Sequence, residues 1–173
     1  MYIKSAAKNL LRRHNIIYPP VPVKQLLKNY ASLYYFDKKM DPDFIHEAGF
    51  TLYKDMSYFV YINRDNTGGR DNFTLAHELG HIVLDHLEYI NPNTADNTSL
   101  KLLDRDADKF ASYILMPDSW VHISCQLYPP NCAANISRIK EAFQVSWQAL
   151  MIKLDELGIQ SYSKSISFLQ ERS

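Results

Sequence analysis

The sequence predicts an α+β fold: a small, mostly antiparallel sheet packed against helices, with a helical segment toward the C-terminal end. Three observations carry this. Three stretches rich in aromatic and β-branched residues lie close together between residues 32 and 63. Two long apolar patterns of helical period follow them, and helical periodicity returns from residue 136.

Taken in order, Ile3 to Arg13 places Ala6, Ala7, Leu10 and Leu11 at helical spacing, and the elbow Tyr18-Pro19-Pro20-Val21-Pro22 follows it. Val23 to Tyr30 reads as a short helix with Val23, Leu26 and Leu27 on one side. SLYYF, EAGFTLY and SYFVYIN, separated by KKMDPD and KDM, read as strands with hairpin connections. The polar run RDNTGGRDN leads into a helix from Phe73 to Leu87 that Asp71 or Asn72 can cap. Residues 86–99 show no period and read as a loop. A helix from Leu100 to Met116 stops at Pro117, and helical pattern from Ile136 to Leu157 ends at Gly158. With no repeat and no linker, the expected organisation is a core of residues 1–120 with a helical segment, 121–173, packed on it.

The chain's 173 residues can bury a substantial core. Lys plus Arg equals Asp plus Glu, 19 each, so no overall field recruits nucleic acid or an anionic membrane, and direct nucleic-acid binding is not expected. Apolar runs fall far short of the ~20 residues that cross a bilayer. MYIKSAAKNLLRRHN lacks the apolar stretch and cleavage site of a signal peptide. The expectation is a cytoplasmic protein with no membrane partner. Cys125 and Cys132 have no partner pair for a structural zinc and read as thiols in a reducing compartment.

His77-Glu78-Leu79-Gly80-His81 has the H-E-x-x-H spacing. On a helix, positions four apart share a face, so both imidazoles can reach one ion. Glu78, one step round, is too displaced to join them as a ligand but can reach a water beside the ion, which makes it the base. The competing reading is two surface histidines on an amphipathic helix. Against it, Phe73, Leu75, Ala76, Leu79, Ile82, Val83, Leu84 and Leu87 surround the helix on nearly every side, a pattern of burial. Buried polar groups without partners are costly, and a metal supplies the partners.

A catalytic zinc takes a third protein ligand and keeps one position open. In DRDADKFASYILMP, Leu103, Ala107, Phe110, Ala111, Ile114 and Leu115 form one apolar arc. Asp104 falls inside that arc and is the expected third ligand. Asp108, at the arc's edge one turn on, is placed to accept from the outer ring nitrogen of a ligating histidine. Asp106 lies beyond the opposite edge and fits a solvated acidic position near a helix N-terminus.

These residues resemble the ImmA/IrrE family of metallo-endopeptidases over most of the chain. The family's strand end, Arg-containing loop and central helix appear as Val60-Tyr61-Ile62-Asn63, Arg70 and Phe73-Thr74-Leu75-Ala76-His77-Glu78-Leu79-Gly80-His81. Its second motif is similar to Asp104-Arg105-Asp106-Ala107-Asp108-Lys109-Phe110-Ala111 with Ile114-Leu115-Met116-Pro117, and its P-V-P-V element to Pro20-Val21-Pro22-Val23. One departure is Asp104, where the family usually has a glutamate. Aspartate is one methylene shorter, so its helix must approach the metal more closely. The resemblance implies a zincin-like fold, with a twisted sheet against the metal-binding helices, and cleavage of a specific protein substrate. Family members typically act on helix-turn-helix transcriptional repressors, often of mobile elements or stress regulons. IKEAFQVSWQALMIKLDELGI resembles the family's helix-turn-helix-like segment, with Ala142, Val145, Leu150 and Leu154 as its core. Its charges balance, which suits packing or substrate docking better than reading DNA.

The expected mechanism has His77, His81 and Asp104 holding Zn2+ and Glu78 taking the proton of a zinc-acidified water as it attacks a peptide carbonyl. Tyr113, His122 and Tyr61 are candidate donors to the developing oxyanion. The alternative is a non-catalytic repressor- or DNA-binding module that retains a metal site. Glu78 argues against it, because a closed structural site has no use for a base.

Overall fold

The structure, a computed structural model, describes residues 2–37, 48–64, 70–87 and 97–161. Helix α1 (Tyr2–Arg13) buries Ala7, Leu10 and Leu11, and α2 (Val23–Leu27) buries Val23, Leu26 and Leu27. Strands β1 (Ala31–Phe36), β2 (Gly49–Lys54) and β3 (Ser57–Asn63) form one sheet in the order β1-β3-β2. β2 and β3 are antiparallel. Their two-residue turn has Asp55 and Met56 both at positive φ, 50 and 60, the form whose twist matches a right-handed strand pair.

The sheet corrects one expectation. β1 runs parallel to β3, with Leu33 opposite Val60, so it joins the sheet on the far side of the β2–β3 hairpin and the sheet is mixed. Alternation along β3 sends Val60 and Ile62 into the core. Tyr61 faces the other way, stacked between Tyr34 and Phe50.

Helix α3 (Arg70–Val83) packs on β2, β3 and α2 with one side and on α4 (Asn97–Leu115) with the other. It therefore lies at the centre, with Leu75, Ala76, Leu79 and Ile82 buried. It starts earlier than expected, so Asp71 and Asn72 sit in its first turn, and Asn72 Nδ2 donates to the Gln144 carbonyl 3.1 Å away. It also ends earlier, at Val83, because Asp85 turns left-handed at φ 57. Helix α4 begins at Asn97, inside the expected loop, and residues 88–96 of that loop lie outside the described residues.

The expected stop at Pro117 is also a start. Pro117 opens an unforeseen helix, α5 (Asp118–Leu127). The C-terminal pattern divides into α6 (Ala133–Phe143) and α7 (Trp147–Glu156). Gln144 turns left-handed between them, and Ser146 caps α7 by accepting from Ala149 N at 3.1 Å. Gly158 ends the run at φ 67, a conformation that favours glycine. Ile136, Ile139, Phe143, Val145, Leu150 and Leu154 fill this segment and are continuous with the rest of the core, whereas Ala142 is exposed. Residues 162–173 lie outside the described residues. No described helix is long and apolar enough to cross a membrane, and Cys125 and Cys132 are free thiols.

Candidate metal centre

His77 and His81 occupy successive turns of α3, and their rings turn toward one point with the two Nε2 atoms 3.0 Å apart. Asp104 arrives from α4 with Oδ1 3.5 Å from His81 Nε2. One donor atom from each of these three residues lies within 4.8 Å of the other two. Ligands of a tetrahedral zinc at ~2.0–2.1 Å sit roughly 3.3 Å from one another, so the 3.0 and 3.5 Å spacings fit such an ion. Two imidazoles and a carboxylate are a donor set that suits a divalent metal such as zinc.

The approach of α4 depends on Gly80. A Cβ at this position would meet Phe110 Cδ1 at 3.1 Å and the Ala107 Cα and carbonyl at 3.2 and 3.3 Å. The missing side chain lets the α4 backbone at Ala107 lie close against α3.

The outer ring nitrogens are occupied. His77 Nδ1 lies 2.8 Å from Asp108 Oδ1, and His81 Nδ1 lies 3.1 Å from His86 Nδ1. Asp106 turns away from the cluster to pair with Lys109 at 3.1 Å. Burial opposes charge on His77, yet its hydrogen bond to Asp108 and the carboxylates of Glu78, Asp108 and Asp104 raise its pKa above the ordinary imidazole value. His81 is pushed down to about 3, by burial first and then by His77 and His86. It is therefore neutral at physiological pH, the form in which an imidazole ligates a metal.

Glu78 is only 4% exposed and is not one of the three converging donors. Thr51 Oγ1, on the inner face of β2, donates to Glu78 Oε2 at 2.6 Å. Thr51 and His86 escaped the sequence reading. Thr51 lies in a strand remote from the motif, and His86 lies past the end of the helix, where the helical projection no longer applies. Of the three oxyanion candidates, Tyr113 faces Lys4 and Lys153, Tyr61 lies in the aromatic stack of the sheet, and His122 is exposed on α5.

A comparison with family models matches residues 27–155 to the IrrE N-terminal-like domain, a peptidase family. No curated protein matches the chain.

Proposed function

The chain belongs to the IrrE N-terminal-like peptidase family, and from that premise we propose that it is a zinc-dependent endopeptidase that cuts a specific protein substrate. The substrate class is a helix-turn-helix transcriptional repressor, of the kind encoded by mobile elements, and the site of action is the cytoplasm. The observation that carries this reading is the convergence of His77, His81 and Asp104 beside a buried carboxylate, Glu78, that is not part of the donor set.

Held by His77, His81 and Asp104, zinc would supply Lewis acidity toward a water and toward the scissile carbonyl. Glu78, its Oε2 fixed by Thr51, takes the proton of the attacking water and delivers it to the leaving amine nitrogen. Asp108 holds the His77 ring in register from behind. A cavity of about 650 Å³ is lined by Asp108, the partner of His77, together with Phe73, Met116, Ala149 and Ile152, and offers room for substrate side chains. Its lining from α7 supports a substrate-docking role for the C-terminal helices.

The test measures zinc content and cleavage of a co-encoded repressor for the wild type and Glu78→Gln. Both proteins should hold stoichiometric zinc, and only the wild type should cut. Equal cutting by Glu78→Gln sinks the base assignment. Zinc-loaded wild type that binds the repressor and leaves it intact favours the non-catalytic module.

A further inference from the structure

The end of α3 folds back on itself. Asp85 N bonds to Ile82 O at 3.1 Å and His86 N to His81 O at 3.0 Å, with Asp85 left-handed at φ 57. These two bonds are the paired closures of a Schellman motif. The reversal carries residue 86 back beneath residue 81, where His86 is buried, 7% exposed. The two imidazoles meet edge to face, centroids 5.0 Å apart at 78°, with their Nδ1 atoms 3.1 Å apart. His81 thus presents Nε2 to His77 and Asp104 and Nδ1 to His86.

We propose that His86 is a positioning residue of the metal centre, accepting the Nδ1–H of His81 and so holding His81 in the tautomer whose Nε2 lone pair is free for the ion. The inference rests on reading His77, His81 and Asp104 as ligands. A neutral imidazole carries one proton, so two Nδ1 atoms at 3.1 Å bond only if one is protonated and the other is not. Ligation through His81 Nε2 makes His81 the donor and leaves His86 with its proton on Nε2. His77 has the same support from the Asp108 carboxylate at 2.8 Å. The two ligating rings are therefore backed unequally, one by an anion and one by a neutral ring, which makes the His81 side dependent on correct placement of its partner.

The experiment compares wild type, His86→Leu and His86→Asn by competition for Zn2+ against a chromophoric chelator, by the visible spectrum of the Co2+-loaded proteins, and by melting of the metal-free proteins. Asparagine puts a carbonyl oxygen where the His86 Nδ1 sits and can accept the same bond, whereas leucine fills the space without an acceptor. His86→Leu should bind Zn2+ on the order of 10–100-fold more weakly, with displaced Co2+ bands. His86→Asn should stay within a few-fold of wild type with an unchanged spectrum. Wild-type affinity in His86→Leu overturns the proposal. So does an affinity loss in His86→Asn as large as in His86→Leu, because ring packing would then be what matters. Should metal-free His86→Leu fail to fold, His86→Asn decides alone: retention supports the proposal and a 10–100-fold loss overturns it. A wild type that takes up neither Zn2+ nor Co2+ overturns the ligand reading itself, a result distinct from variants that match it.

Discussion

At Thr51 a single hydroxyl holds the carboxylate proposed as the base. Thr51→Val keeps the shape of the side chain and removes the donor to Glu78 Oε2. Turnover should fall roughly 10- to 100-fold, the scale of misplacing a catalytic group by about an ångström, with zinc content unchanged. Stopped assays paired with metal analysis check both halves. The aspartates of α4 separate by geometry: Asp104 and Asp106 diverge by about 200° round the helix, so one faces His81 while the other pairs with Lys109. Asp104→Ala should lose zinc and activity together, and Asp106→Ala should be close to silent. Chelator titration of the two variants decides, and zinc loss in Asp106→Ala with retention in Asp104→Ala would reverse the assignment. The convergence of His77, His81 and Asp104 was legible in the sequence, because spacing along a helix is set by the helix itself. Thr51 was not legible, since only the sheet brings it to Glu78.

Between elements, the contact that sets the site is α3 against α4. Gly80 carries no side chain, and a Cβ there would come within 3.2 Å of the α4 backbone at Ala107. A rigid backbone cannot give way as a flexible side-chain end can. Gly80→Ala should therefore cost about 1–3 kcal/mol by overpacking and move Asp104, three residues from Ala107, away from His81. The expected result is a lower urea midpoint together with weaker zinc binding. A variant as stable as wild type with unchanged affinity would show that the helices adjust freely. The division of the C-terminal pattern into α6 and α7 also belongs to this scale. Apolar period continues through Gln144, and a single left-handed residue followed by the Ser146 cap breaks the run.

Over the whole molecule, Asp118 ties α1 to α7. Lys4 from α1 bonds its Oδ2 at 2.5 Å, and Lys153 from α7, 1% exposed, pairs with Oδ1 at 2.7 Å. Burial raises the Asp118 pKa, but Lys153 and Lys4 outweigh it and hold the carboxyl below its ordinary value. With the folded pKa below the unfolded one, this stabilisation is fully present above roughly pH 5 and is lost as the pH falls toward the folded pKa. Asp118→Asn leaves the buried Lys153 ammonium without its anion and should cost about 3 kcal/mol at pH 7. Urea unfolding of both proteins should show that gap narrowing at pH 3, and a gap independent of pH would remove the ion pair as its cause. The sequence by itself determined the class of fold and the helical phase that turns Asp104, rather than Asp106, toward His81. Those features depend on neighbours a few residues apart, whose geometry the helix imposes. Only the tertiary structure decided that β1 lies parallel to β3, that α4 rests on Gly80, and that Thr51 and His86 reach the site. Strand order and helix approach are set by packing between segments distant in sequence, and the place of His86 by one left-handed dihedral at Asp85, which no hydrophobic period encodes.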